Sequence, residues 1–139
     1  MEIMTNAIEK RLELNSPVDR VWNAISDPAQ ISQWFSDRCD LDLRPGGRGH
    51  FDWEDHGVYP VRVDEVNPPT RLVWTWNHEP GTEVEDGIST TVEWMLSPRE
   101  GGGTILELRE TGFQTGERRQ QNVDGWDTEL DELVALLAT

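Results

Sequence analysis

A helical repeat of apolar residues marks the C-terminal end of the chain. Over residues 122–138, apolar side chains recur every three or four positions, and acidic side chains occupy the opposite side. This spacing predicts an amphipathic helix. A lone helix of this size is marginal in water, so its apolar stripe must be covered by the preceding segment. The stripe consists of Val123, Trp126, Leu130, Leu133, Val134 and Leu137.

Alternating apolar and polar residues predict β-strands through most of that preceding segment. Short groups of Gly, Pro, Asn and Asp separate the strands, and connections so short favour an antiparallel meander over a parallel sheet. Ser16-Pro17 predicts a short helix over 18–26 with Ser16 as its cap, and Asp27-Pro28 predicts a second short helix. We predict strands at 7–14, 40–43, 49–53, 58–66, 71–77, 88–97 and 104–111.

The alternation gives the predicted sheet one apolar face and one wet face. Large apolar side chains share one side of each strand from residue 58 onward, and they would meet the helix around Trp126. Charged residues occupy the other side, as expected where an antiparallel sheet faces water. The stretch 82–87 is predicted to be a solvated loop that could move. The inward set is Tyr59, Val61, Val63, Leu72, Trp74, Trp76, Val92, Trp94, Leu96, Leu106, Leu108 and Glu110.

Length and charge limit the classes of function. A chain of 139 residues fits a single domain over 1–139. The net charge of −15 repels phosphate groups, so we expect no nucleic-acid partner and no membrane partner. Eleven Arg accompany a single Lys, which fits either life at high salt or a GC-rich genome. The first ten residues lack a signal-peptide pattern and no apolar run reaches membrane-span length, which predicts a cytoplasmic protein.

Side chains that carry enzyme chemistry are sparse in the sequence. The three histidines lack the i, i+4 spacing of a zinc site and no CxxC pair exists, so we expect no metal and no other cofactor. No glycine loop opens a helix as a phosphate site requires, and no G-x-S-x-G elbow is present. Cys39 has no neighbouring base, which favours an incidental thiol over a nucleophile.

Tryptophan is the most distinctive feature of the composition. Seven tryptophans fall mainly at positions predicted to face inward, and Trp22 is expected to be plain core. For the other six, a solid core and the wall of a ligand cavity fit the pattern equally well, because pocket and core share the same residue types. These six are Trp34, Trp53, Trp74, Trp76, Trp94 and Trp126.

Five stretches of the chain resemble a known superfamily. They are SPVDRVWNAISDPAQISQWF (16–35), RPGGRGHFDW (44–53), VDEVNPPTRLVWTW (63–76), GGTILELRETGF (102–113) and GWDTELDELVALL (125–137). In this order they resemble the helix-grip proteins of the START and Bet v 1 (SRPBCC) superfamily, in the branch named for the activator of Hsp90 ATPase. The resemblance implies an α+β fold: a curved antiparallel sheet of about seven strands, two short helices after the first strand, and a long C-terminal helix over the concave face. It implies little about activity, since the superfamily includes binders, cyclases and co-chaperones.

Glu110 departs from the family pattern, and the sequence leaves its role open. Many relatives carry His at this position, two residues before Gly112-Phe113. An inward-facing acid is penalised by the loss of its hydration. Three interpretations compete: a group that orients a ligand, a partner for a buried Arg or for Lys10, and a strand-end side chain that reaches solvent. We favour the third, because buried carboxylates are rare unless they are paired.

Three functions compete. In the leading one, the sheet and the C-terminal helix enclose a small apolar or aromatic molecule, which Trp and Tyr grip and Glu110 or His78 orients. The second is a stand-alone interaction protein whose acidic surface meets a basic patch on a partner such as an Hsp90-type chaperone. The third, ranked last, is a cyclase or hydrolase using Glu110 with His78 or Tyr59 as acid and base. A homodimer is allowed but not required. The residues predicted to bind the ligand are Trp34, Phe35, Trp53, Tyr59, Val61, Trp74, Trp76, His78, Trp94, Glu110, Phe113, Trp126 and Leu130.

Overall fold

A seven-stranded, curved antiparallel sheet with three helices forms the structure, a computed structural model that describes residues 7–139. The strands are β1 (Ile8–Leu14), β2 (Arg38–Leu41), β3 (Arg48–Trp53), β4 (Gly57–Asn67), β5 (Arg71–Asn77), β6 (Ser89–Pro98) and β7 (Thr104–Thr111). The helices are α1 (Val18–Ser26), α2 (Pro28–Trp34) and α3 (Gly116–Leu137). The strand order is β1-β7-β6-β5-β4-β3-β2, so β2 to β7 form a meander. The predicted helix-grip α+β fold is confirmed.

The N-terminal residues 1–6 lie outside the described residues, and with them most of the stretch from which the absence of a signal peptide is predicted. Within the described part, no helix is both long and apolar enough to cross a membrane. The longest helix, α3, has 22 residues.

Local signals set the ends of the two short helices. Pro17 is the cap residue of α1 and makes no side-chain cap bond, so the prediction of Ser16 as the cap is wrong. The Ser16 hydroxyl instead donates to the carbonyl of Leu137 at 3.4 Å, at the far end of α3. Asp27 caps α2 by accepting the backbone N–H of Ala29 at 3.0 Å, as the Asp-Pro pair predicts.

A glycine turn and a threonine cap lead from β7 into α3. Gly112 has φ = +102°, a backbone conformation that residues with side chains rarely adopt. Thr115 then caps the helix by accepting the backbone N–H of Arg118 at 3.1 Å. The helix therefore begins at Gly116, six residues before the predicted start at 122. Residues 118–121 therefore belong to its first two turns.

The strand register places the predicted apolar set on one face of the sheet, which α3 covers. Trp74 in the middle of β5 pairs with Val63 of β4 and with Val92 of β6. From α3, Trp126 and Leu133 reach the same hydrophobic core and are at most 3% exposed. The core of the molecule therefore lies between this face and α3, as the two periodicities predict.

The opposite face of the sheet is polar. The side chain of Arg71 lies 2.8 Å from Glu65 and 3.4 Å from Glu93, and Arg62 lies 2.7 Å from Asp64. Pairs that are open to solvent contribute little to the free energy of unfolding. This face therefore keeps the sheet soluble more than it stabilises it.

The stretch 82–87 is largely exposed, as predicted for a solvated loop, and several contacts attach it to the sheet. It contains one turn of 3-10 helix, and Val84 within that turn is only 4% exposed. The side chain of Asn77 donates to the carbonyl of Glu83 at 3.0 Å. Arg48 of β3 forms an ion pair with Glu85. The buried valine and these two contacts fix the loop to β5 and β3.

Two contacts join α3 to the β1 edge of the sheet. The ammonium of Lys10 lies 2.5 Å from the carboxylate of Asp127. The guanidinium of Arg119 donates to the carbonyl of Ala7 at 3.0 Å. The helix is thus fixed to this edge by polar contacts outside the apolar core.

Candidate functional site

Glu110 is a fully buried carboxylate that four side chains hold by hydrogen bonds. The indole of Trp126 donates to Oε1 at 2.8 Å, and the indole of Trp76 donates to Oε2 at 2.9 Å. The hydroxyl of Thr90 donates to Oε2 at 2.5 Å, while the amide of Asn122 lies 3.2 Å from Oε1 and 3.3 Å from Oε2. These donors occupy both oxygens. Glu110 on β7 therefore ties together β5, β6 and α3.

This geometry corrects two interpretations of Glu110. The side chain is 0% exposed, so it does not reach solvent at a strand end. It also has no ion pair within residues 7–139, because Lys10 pairs with Asp127 instead. Neutral donors replace the cation that a buried carboxylate ordinarily requires. Both carboxylate oxygens of Glu110 already accept hydrogen bonds from the protein, so they are poorly placed to take a proton from a substrate. The contacts of Glu110 instead hold other side chains in position.

Thr90 links Glu110 to His78. Because the Thr90 hydroxyl gives its one proton to Glu110, its oxygen accepts the N–H of Trp76 at 3.1 Å and the Nε2–H of His78 at 3.2 Å. This assigns the His78 proton to Nε2 and leaves Nδ1 as an acceptor. Burial, reinforced by the charge of Arg118, lowers the pKa of His78 to about 4. The imidazole is therefore neutral at pH 7.

A cavity of about 360 Å³ lies between the sheet and the N-terminal part of α3. This volume falls within the range of pockets that hold small molecules. Phe35, which follows α2, stacks on Trp126 of α3 at a ring-centroid distance of 5.4 Å and on Trp76 at 5.7 Å. The cavity is lined by Phe35, Trp53, His56, Tyr59, Trp76, Asn77, His78, Arg118, Gln121, Asn122, Gly125, Trp126 and Glu129.

The cavity brings together part of the predicted ligand-binding set. Phe35, Trp53, Tyr59, Trp76, His78 and Trp126 line it. The remaining seven do not line this cavity: six lie in the hydrophobic core at no more than 5% exposure, and Glu110 lies behind the wall. These six are Trp34, Val61, Trp74, Trp94, Phe113 and Leu130.

The three tryptophans of the cavity direct their N–H groups to protein acceptors. Trp53 donates to the carbonyl of Phe35 at 2.8 Å. Trp76 and Trp126 donate to Glu110. An indole has a single N–H donor, so an indole whose donor is used offers a ligand only its ring. This part of the wall is therefore apolar and aromatic.

The polar side chains of α3 are the part of the cavity that the sequence prediction missed. They follow one another at helical spacing, a signal that is present in the sequence. The predicted helix begins at residue 122 and its apolar stripe alone marks the inward face, so these polar positions are not in the predicted ligand-binding set. The lining residues outside that set are Arg118, Gln121, Asn122, Gly125 and Glu129 on α3, with His56 and Asn77 from the sheet side.

Two charged side chains of α3 border the cavity without an ion-pair partner among the described residues. Arg118 lies close enough to His78 for its charge to lower the pKa of that imidazole. Burial, together with the neighbouring charges of Glu132 and Asp37, raises the pKa of Glu129 to about 7. The cavity therefore has a positive group near His78 and a carboxyl group of raised pKa elsewhere on the same helix.

Among the described residues, the structure shows neither a metal-binding cluster nor a reactive thiol at the cavity. No group of three or more His, Cys, Asp or Glu side chains in the described part of the chain is arranged to hold a metal ion. Burial, with the charges of Asp40 and Asp27, raises the pKa of the Cys39 thiol to about 12. A thiol that stays protonated is a poor nucleophile, and Cys39 does not line the cavity.

Comparison with known proteins gives relatives in both structure and sequence. The chain superposes on DynU16, a protein of the dynemicin biosynthetic locus, with a TM-score of 0.84 and 25% identity over 98% of this chain and 48% of that one. It thus spans about half the length of DynU16. CalU16 from Micromonospora echinospora gives a TM-score of 0.75 and 32% identity over 94% of this chain and 75% of that one.

A third structure and a family profile complete the comparison. Protein MLL2253 from Mesorhizobium loti has a TM-score of 0.83 at 24% identity, over 95% of this chain and 96% of that one, and supports the fold alone. No curated protein sequence gives a significant match. The profile of the family described as "Activator of Hsp90 ATPase homolog 1-like protein" matches residues 15–138, nearly the whole chain. With the helix-grip fold described above, this match shows that the chain belongs to that family.

Proposed function

We propose that this protein binds a small, largely aromatic molecule in the cavity between the sheet and α3. The observation that carries the proposal is the wall of Trp53, Trp76 and Trp126, whose indole N–H groups all donate to protein acceptors. Such a wall offers ring surfaces for stacking and no competing donors. Burial of an apolar ligand against these rings is the expected source of affinity.

The buried carboxylate supports the same function. Glu110 fixes Trp76 and Trp126 through one hydrogen bond each. Side chains held in one rotamer lose little entropy when a ligand binds, and this preorganisation raises affinity. The similarity to DynU16, a protein of a biosynthetic locus, is compatible with a small-molecule ligand. The ligand-orienting role predicted for Glu110 thus becomes an indirect one that acts through the two indoles.

Gly125 offers a direct test of the cavity. It lies on α3 in the cavity wall, and a Cβ placed on it meets no atom within 4 Å. Gly125→Leu therefore fills cavity space without a backbone clash and removes a glycine from a helix interior. We expect this variant to bind the neutral aromatic dye N-phenyl-1-naphthylamine at least about tenfold more weakly, while its free energy of unfolding stays equal or rises.

The matched control is Gly116→Leu. Gly116 also lies on α3 with no atom within 4 Å of an added Cβ, but it does not line the cavity. Dye fluorescence is titrated for the unmodified protein and both variants, with urea unfolding in parallel. Dye binding that Gly125→Leu leaves unchanged, or no binding of the dye to any of the three proteins, contradicts the proposal.

A further inference from the structure

The two unpaired charges of the cavity wall stand on one line along α3. Arg118 and Glu129 are eleven residues apart, which is close to three full turns, so both project from nearly the same face of the helix. The rise per residue separates their Cα atoms by roughly 16 Å along the axis. Gly125 lies between them on this face without a side chain. The space between the charges is therefore open above the glycine.

Other protein groups leave both charges free to act on a ligand. Neither Arg118 nor Glu129 has an ion-pair partner within residues 7–139. The acidic neighbours of Glu129 are Glu132 on α3 and Asp37 beyond α2, and both disfavour its ionised form. Three other polar side chains of the wall are already engaged: Asn122 donates to Glu110, His78 bonds Thr90, and Asn77 bonds the loop that follows β5.

We infer that the cavity selects an elongated aromatic ligand with an anionic group at the Arg118 end and a cationic amine at the Glu129 end. The aromatic middle of the ligand would stack on Trp76 and Trp126 between these groups. Charge-assisted hydrogen bonds in a partly desolvated site are stronger than neutral ones. The inference rests on the proposed function, since it names the chemical class of that same ligand.

Two matched pairs of dyes test the two ends separately. N-phenyl-1-naphthylamine is neutral, and 8-anilinonaphthalene-1-sulfonate adds one sulfonate to the same rings. Dansylamide is neutral, and dansylcadaverine adds a primary ammonium on a flexible arm. We expect Arg118→Met to weaken binding of the sulfonate dye about tenfold and to leave its neutral counterpart within about twofold, because only the sulfonate loses a charged partner.

At the other end, we expect Glu129→Gln to weaken dansylcadaverine about tenfold and to leave dansylamide unchanged. The pKa of Glu129, raised to about 7 by burial, adds a pH signature. Dansylcadaverine binding to the unmodified protein should strengthen as pH rises from 6 to 8, while binding to Glu129→Gln should not. Arg119→Met and Asp131→Asn are the matched controls, because these residues lie on α3, do not line the cavity and are not among the charges that shift the pKa of Glu129.

The outcomes separate this inference from the function on which it rests. Suppose that the neutral dyes bind, but that Arg118→Met and Glu129→Gln do not weaken binding of the charged dyes. This result overturns the inference and leaves the proposed function standing. Equal effects of the control variants overturn it as well, since they would indicate a general effect of net charge. If none of the four dyes binds, the proposed function itself fails.

Discussion

Five of the seven tryptophans form two groups that differ in how their N–H groups are used. Trp74 and Trp94 lie in the solid core at 1% or less exposure, and their buried indole N–H groups have no hydrogen-bond partner. Trp53, Trp76 and Trp126 border the cavity, and each donates to a protein acceptor. The indoles that border the cavity therefore have hydrogen-bonded N–H groups, whereas two indoles of the packed core do not.

The two groups of indoles are held in their orientations by different means. Trp74 and Trp94 are buried among other side chains, so dense packing fixes their orientation without a hydrogen bond. Trp94, for example, meets Trp34 and Trp126 edge to face at 6.1 and 5.6 Å. A cavity indole lacks neighbours on one side and needs a directional bond to keep its orientation. Glu110 supplies that bond for two of the three cavity tryptophans.

The largest expected effect comes from truncating a core indole. Trp94→Ala should lower the free energy of unfolding by about 3–5 kcal/mol, because it leaves a large void in a packed region. Trp53→Ala should cost less, since Trp53 is only partly buried and already borders open space. Urea unfolding of both variants measures the difference. Equal losses would mean that the two groups are packed alike.

Removing the negative charge of Glu110 should have the next largest effect. Glu110→Gln replaces one acceptor oxygen by an amide donor that must face an indole N–H or the Thr90 hydroxyl. We expect a loss of about 1–3 kcal/mol in the free energy of unfolding. Glu107→Gln, at an exposed position on the same strand, should stay within about 0.5 kcal/mol. If the two variants are equally stable, the carboxylate does not hold the wall.

Glu129 should make stability fall as pH rises. Its pKa is about 7 in the folded protein against 4.5 for the free side chain. Between these values the folded state binds a proton that the unfolded state lacks, so stability decreases from about pH 4.5 to 7 and then levels off. Because the side chain is partly open to solvent, the effect should stay below about 1 kcal/mol. Unfolding of Glu129→Gln at pH 5 and pH 8 should lack this component.

An effect of similar size and opposite sign is expected for His78. Its pKa of about 4 lies below the ordinary 6.5, so the unfolded state binds the extra proton and stability falls as pH drops from 6.5 to 4. We expect His78→Gln to flatten the pH dependence of the free energy of unfolding in this window. NMR of the imidazole provides a direct check. A ring that titrates near pH 6.5 would contradict the closed environment of His78.

Hydrophobic periodicity predicted the strands and the covering helix, and the family resemblance implied the helix-grip arrangement, but neither distinguished cavity wall from solid core. The register of Trp74 between two strands follows from alternation, and the covering helix follows from the 3.6-residue repeat around Trp126. Six ligand-binding predictions coincide with the cavity wall. Whether an inward position borders packed atoms or empty space depends on three-dimensional shape, which a linear pattern does not contain. That is why Trp94 and Trp76 looked equivalent in the sequence.

Glu110 shows a second limit of sequence reasoning. The expectation that it reaches solvent came from the rarity of unpaired buried carboxylates. Its actual partners are Trp76, Thr90, Asn122 and Trp126, which are separated from it along the chain and include no cation. These neutral donors come from β5, β6 and α3, and no short sequence motif indicates that they meet at one carboxylate. The structure of the site therefore had to be known before the role of this residue could be assigned.

The single lysine of the chain has a practical consequence for chemical labelling. Lys10 sits where β1 meets α3, and its ammonium is paired with Asp127. Among side chains, an amine-reactive reagent can modify only this one, so a fluorophore introduced by acylation would report on the seam between sheet and helix without any engineered cysteine. Acylation also abolishes the ammonium charge and with it the pairing, so the reaction rate would record how often that seam opens.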